Sequence, residues 1–182
     1  MKAGYGKRSP PAKVKLIVGL LAGDEAVFAA ARAALERYYG SVDFESGIFD
    51  FIHTDYYRDE MGEGLKRIFL GFKKLLDPAV AYKVKSRTNR IEAAFSKNGK
   101  RAVNIDPGYL NLSKVVLFST KDYSHRIYIR EGIFAECTLY YRDKDFSPWP
   151  WTYPDYKTRS YRDAFVSLRD IYKTNSTGAA VE

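Results

Sequence analysis

Residues 104–130, NIDPGYLNLSKVVLFSTKDYSHRIYIR, settle whether the second half of the chain extends a sheet or departs from it. Taken locally, Asp106-Pro107-Gly108 is turn chemistry, because proline presets φ and glycine tolerates positive φ. On that reading a short strand over 102–105 ends at the turn. A short helix follows over 110–120 with Leu112, Val115 and Val116 buried. A hairpin then runs out over 125–130, turns at Glu131-Gly132 and returns over 133–142. Helix and hairpin are separated by a dense polar cluster of Lys121, Asp122, Ser124, His125 and Arg126.

Upstream, residues 14–21 are almost continuously apolar, with β-branched Val14, Ile17 and Val18, which marks a central strand buried on both faces. Asp24 is the N-cap of a helix with Val27, Phe28, Ala31, Leu35 and Tyr38 on one stripe, closed by Gly40. From Ser41 the pattern changes to period two. A straight strand through Phe49, Phe51, His53, Asp55 and Tyr57 would project His53 and Asp55 from one face. Residues 65–76 fit a helix through Ile68, Phe69, Phe72, Leu75 and Leu76 or a strand through Ile68, Leu70 and Phe72, and the reading taken is a strand that pairs back. Asp77-Pro78 reads as the start of a helix carrying Val80, Val84, Arg87, Ile91 and Phe95 to Asn98-Gly99.

Downstream, FSPWPWTYPDY (146–156) holds three prolines and both tryptophans, and reads as an ordered extended loop laid on the body. Ser160 and Asp163 form a capping box for a last helix with Tyr161, Phe165, Leu168 and Tyr172 on one stripe. The element order gives an α+β fold: a ferredoxin-like β-α-β-β-α-β core elaborated by a C-terminal helix, hairpin and helix. Residues 14–173 form a single domain, flanked by a flexible basic tail (1–13) and a disordered tail (174–182).

At 182 residues and 46% hydrophobic, the chain is long enough for one core. Its 15% aromatic share excludes a disordered body. A single cysteine, Cys137, forbids an intramolecular disulfide and points to a reducing compartment, with the thiol buried and structural. No apolar run reaches the ~18 residues of a membrane span, and the N-terminus lacks the apolar segment of a signal peptide, so the expected location is cytoplasmic. Of the net charge of +8, residues 1–15 supply +5, through Lys2, Lys7, Arg8, Lys13 and Lys15. That distribution weakens a basic nucleic-acid face on the folded body.

Neither G-x-G-x-x-G nor G-x-x-x-x-G-K-[ST] is present, so residues 19–24 are not a phosphate loop, and no G-x-S-x-G marks a serine hydrolase. The tripeptides His53-Thr54-Asp55 and His125-Arg126-Ile127 also fail the paired H-x-[ST] pattern of two-histidine phosphoesterases. What remains is a constellation. His53, Asp55 and His125 are the acid–base candidates, and His53, Asp106 and His125 could together hold a divalent metal. The bland reading of each histidine is a satisfied structural hydrogen-bonder near a strand end. Lys121, Arg126 and Arg130 beside tyrosines suit an anionic, nucleotide-like ligand, with Asp106, Tyr109, Asp122 and Tyr153 completing the binding set. The alternatives are an RNA-binding module using the basic tail and exposed tyrosines, and a protein-interaction domain using the loop over 149–156.

Four segments carry a further likeness: HTDYY from residue 53, NIDPGY at 104–109, TKDYSHRIYI at 120–129 and WTYPDY at 151–156. Together they resemble the bacterial proteins grouped as domain of unknown function 4416, over residues 13–172. The resemblance implies a shared fold but brings no established reaction. Some members carry a GTP-binding label, yet no GTPase motif occurs here, and no catalytic residue is carried over.

Overall fold

The computed structural model describes residues 9–52, 54 and 56–178, so His53 and Asp55 lie outside the described residues, as do 1–8 and 179–182. Every residue of β1 (Val14–Ala22) is buried. The cause is a sheet covered on both faces, which removes the usual alternation of apolar and polar positions. On one face Leu16, Val18 and Leu20 pack with Phe28, Ala31 and Leu35 of α1 (Glu25–Tyr39) and with Val84 and Ile91 of α3 (Lys83–Phe95). On the other, Ile17 joins Phe69 and the stripe Tyr161, Phe165, Leu168 and Tyr172 of α4 (Arg159–Gly178).

Between these helices come β2 (Val42–Glu45), β3 (Phe49–Asp50), the single turn α2 (Arg58–Met61) and the long β4 (Lys66–Leu76). The second half supplies β5 (Asn104–Leu110), β6 (Lys114–Ser119), β7 (Ile127–Arg130), β8 (Ile133–Arg142), β9 (Asp145–Pro148) and a 3-10 turn at Asp155–Lys157. The described residues thus form an α+β fold of four helices and one nine-stranded sheet, in which these strands pair antiparallel throughout. Its order is β2-β4-β1-β5-β6-β8-β7, with β3 also on β4 and β9 also on β8.

Several expectations hold. The side chain of Asp24 caps α1, accepting from Ala26 N–H at 2.9 Å. Residues 65–76 are a strand, and β7 and β8 turn at Glu131 and Gly132, which both take positive φ. The largest correction falls on 104–120. Asp106-Pro107-Gly108 is not a turn: β5 runs straight through it, pairing Asp106 with Gly19 and Pro107 with Val18. Ile105 bonds with its N–H and C=O away from β1, so by alternation Pro107 also faces away from it. There β6 has not yet begun to pair, its first partner being Gly108, and the missing N–H costs no ladder bond. Gly108 is required by proximity, since a Cβ would lie 2.2 Å from the Val116 carbonyl oxygen. The expected helix over 110–120 is strand β6, and the C-terminal elaboration is built of strands up to α4.

Smaller corrections follow. β3 ends at Asp50, so no straight strand carries residues 49–57. Residues 77–82 form turns, with Asp77 Oδ1 accepting from Ala79 N–H at 2.9 Å, and α3 starts only at Lys83. Part of the proline-rich loop is strand β9. Helix α4 begins one residue before Ser160 and continues through 174–178, where a tail was expected. Cys137 is half-buried, its thiol facing the Leu139 carbonyl at 3.5 Å. Lys15, counted from sequence with a basic arm, is wholly buried in β1 and donates to both Asp43 carboxylate oxygens at 2.6 and 2.7 Å. Burial lowers its pKa against the opposing pull of Asp43. No helix among the described residues is long and apolar enough to cross a membrane.

Candidate functional site

Where β5 and β6 part, a cleft of about 800 Å³ opens. Ile105 lies at this seam. On the side away from β1, where its peptide groups face no strand, its N–H donates to Glu92 Oε1 at 2.5 Å and its carbonyl accepts from Lys85 Nζ at 3.1 Å. Two side chains of α3 therefore satisfy the open ladder and at the same time bring a carboxylate and an ammonium to the cleft wall.

The floor is an ion pair. Arg67 of β4, its side chain 3% exposed, donates from Nη1 to Asp106 Oδ2 at 2.8 Å and lies 3.8 Å from Asp155 through Nη2. Gly19 on the neighbouring strand makes the room, since a Cβ there would meet Arg67 Nη1 at 3.0 Å and Phe69 at 3.2 Å. Asn104 Nδ2 also donates to Asp106 Oδ2 at 2.8 Å. Burial alone would raise the Asp106 pKa. The charges of Arg67 and Lys85 and the two hydrogen bonds outweigh it and hold the carboxyl below its usual range. Glu92 goes the other way: burial raises it, and Lys85 only partly offsets that. The pKa values of two carboxylates of one cleft are thus pushed in opposite directions.

The walls carry more guanidinium groups, each engaged. Arg101 grips Glu60 with two bonds of 2.6 Å and donates to Asn104 Oδ1 at 2.8 Å. The hydrogen bonds to Glu60 raise its pKa first, against burial. Arg126, on the loop before β7, donates to Glu136 Oε2 at 2.8 Å, Ser119 Oγ at 2.7 Å and the Tyr153 hydroxyl. It also lies 4.6 Å from the Tyr123 ring centre. The two lysines differ. Lys121 Nζ donates to the Tyr56 hydroxyl at 2.6 Å and sits 4.7 Å from that ring centre. No carboxylate among the described residues pairs with Lys121 or with Lys85. The aromatic wall is neutral, burial pushing the Tyr153 phenol up to about 12 and raising Tyr57 as well.

The model of the family described as Domain of unknown function (DUF4416) matches residues 12–172. The chain belongs to the DUF4416 family. No curated protein and no solved structure matches it.

Of the residues singled out from the DUF4416 sequence, Asp106, Lys121, Arg126 and Tyr153 line the cleft together. Tyr109 does not. It lies three residues along β5 from Asp106, an odd number, so it faces the other side and packs on Phe118, ring centres 5.9 Å apart. Asp122 is exposed in the β6–β7 loop, and Arg130 is an exposed β7 residue 3.5 Å from Glu131. His125 stands behind the wall, its Nε2 3.1 Å from Glu136 Oε2 and its ring stacked on Trp151. The same Glu136 oxygen accepts from Arg126 Nε at 2.8 Å. The acid–base pair His53 and Asp55 lies outside the described residues.

Among the described residues, no group of three or more His, Cys, Asp or Glu side chains could hold a metal ion. Asp106, the described carboxylate of the proposed metal set, is already bound by a guanidinium. Sequence reasoning missed Arg67, Lys85, Glu92, Arg101 and Glu136. One signal was available for Arg67: an arginine immediately before the apolar run over 68–72 of β4.

Proposed function

We propose that this DUF4416 chain binds, and acts on, a small anionic ligand bearing phosphate, with a nucleotide as the best-fitting class. The observation that carries the reading is the division of labour among the cleft cations. Its three guanidinium groups are each paired with a carboxylate, whereas the ammonium groups of Lys85 and Lys121 are not. An anion entering the cleft meets two positive charges without displacing an existing ion pair. Tyr56, Tyr123 and Tyr153 offer ring faces for a base, and the volume lies in the range of small-molecule sites. Asp106 Oδ1 is available to a ligand hydroxyl, and Glu92, whose pKa burial raises, is the group nearest in kind to a general acid. His53 and Asp55, flanked in sequence by the lining residues Phe51, Thr54, Tyr56 and Tyr57, belong to the same proposal as acid–base groups.

The fold reading behind it is a ferredoxin-like core made of β1, α1, β2, β4, α3 and β5. The order β2-β4-β1-β5, the antiparallel pairing, and the packing of α1 and α3 on one face support that reading.

A thermal-shift series with nucleoside mono-, di- and triphosphates and inorganic phosphate tests the function. A ligand at 100 times its Kd adds about 2.7 kcal/mol, which for a chain of this size moves Tm by about 5–10 °C. The shift should disappear in Lys85→Ala and Lys121→Ala. No shift with any phosphate compound, or a shift that both variants retain, overturns the proposal. A shift confined to RNA and fading with salt would favour the RNA-binding alternative.

A further inference from the structure

On the opposite layer from the cleft floor, α1 and α3 leave a groove of about 540 Å³ between them. Its lining repeats the same spacing on both helices. Ala30, Ala33, Ala34, Arg37 and Tyr38 of α1 fall at i, i+3, i+4, i+7 and i+8, and so do Arg87, Arg90, Ile91, Ala94 and Phe95 of α3. Each helix therefore turns one complete stripe towards the groove. The floor is methyl groups with the Ile91 and Phe95 side chains, and the rim is arginine.

Those arginines lack the partners that the rest of the protein gives its guanidiniums. Arg32, one turn earlier on α1, lies 2.6 Å from Glu45 and 3.5 Å from Glu36. Among the described residues no carboxylate pairs with Arg37, Arg87 or Arg90. Arg87 lies over the Tyr38 ring, 4.4 Å from its centre. The acids of the two helices are turned elsewhere: Glu25 to Lys66, Glu36 to Arg32 and the Val42 N–H, Glu92 into the cleft. An apolar trough with an uncompensated positive rim results.

We infer that this groove docks an acidic amphipathic helix of a partner protein, its apolar stripe on the alanine floor and its carboxylates on Arg37, Arg87 and Arg90. The alanines let a helix backbone come close, and helix-in-groove recognition reads anchors at the i, i+3, i+4, i+7 spacing that the groove itself displays. A second copy of this chain is disfavoured, because the chain carries a net +8 and would bring like charge to a basic rim. Nucleic acid is disfavoured by the floor, which offers methyl groups where bases need donors, acceptors or several stacking rings. Helix α3 has 13 residues, so the trough accepts a helix of about 20 Å, three to four turns.

The test is a display library of helical peptides of about that length, with an apolar stripe fixed and its flanks randomised, selected against the full chain. Flanks enriched in Glu and Asp are the expected result. Measured by fluorescence anisotropy, selected peptides should bind at least about tenfold more weakly to the triple variant R37E/R87E/R90E, and similarly to Ala33→Gln, which fills the floor without changing charge. Lys121→Ala should leave binding unchanged, and melting curves check that each variant is folded. The inference fails if the flanks show no acidic enrichment, or if selected peptides bind the triple variant as well as the parent. It also fails if oligouridine, rather than any peptide, is the ligand that the triple variant loses.

Discussion

The cleft and the α1–α3 groove are each lined by three arginines, and they use them in opposite ways. In the cleft Arg67, Arg101 and Arg126 meet Asp106, Glu60 and Glu136 at 2.6 to 2.8 Å. In the groove Arg37, Arg87 and Arg90 meet solvent and one tyrosine ring. A guanidinium sunk beside a carboxylate is part of the framework, because removing it strands a desolvated charge. The same group on a solvated helix face adds little to stability and stays available to a partner. Counting arginines therefore locates no binding site; their existing partners do.

The comparison breaks most visibly at Arg67. Arg67→Met strips the part-buried Asp106 of its hydrogen-bonded cation, leaving only the charge of Lys85, and should lower unfolding stability by about 2–4 kcal/mol, measured as the urea midpoint. A loss under about 1 kcal/mol would mean that the floor pair is not framework. Next comes the seam that opens the cleft. Gly108→Ala sets a methyl 2.2 Å from the Val116 carbonyl oxygen and should cost about 1–3 kcal/mol as β5 and β6 are forced apart. Equal stability would show that the two strands adjust freely.

Acid titration sharpens the contrast further. The Asp106 carboxyl is held below its unfolded value, so its stabilisation is fully present above the unfolded pKa of about 3.9 and is lost as pH falls through the lower folded value. Asp106→Asn should flatten the stability profile in that window, while R37E/R87E/R90E should keep the parent's slope there. The smallest effect belongs to the groove. Arg87→Ala should change stability by no more than about 0.5 kcal/mol, and a larger loss would make the arginine over Tyr38 a structural clamp.

Much of the first half was legible because its signals are local. The apolar run of β1, the Asp24 cap and the α1 stripe need no knowledge of distant residues, although the exposed member of the Tyr38–Tyr39 pair was misassigned: Tyr39 is the one that packs on Phe72. At 104–120 local chemistry misled. Pro107-Gly108 is turn-like in isolation, but proline stands where no neighbour needs its N–H, and glycine stands where another backbone crosses close. Both reasons are tertiary. The site divided along the same line. Asp106, Lys121, Arg126 and Tyr153 cluster in polar segments and could be picked out, whereas Arg67 and Lys85 sit inside apolar or amphipathic elements and acquire meaning only from β5. His125, picked out by the same polar cluster, stands outside the cleft lining and reaches it only through Glu136.

The seam at Ile105 has one more consequence. An unpaired stretch of strand facing water is ordinarily an invitation for a foreign strand to zip on, the first step of edge-to-edge aggregation. Here the amide and the carbonyl that would greet such a strand are already taken, by a carboxylate and an ammonium from the same helix. The sheet can stay split open to solvent in a crowded solution without recruiting its neighbours.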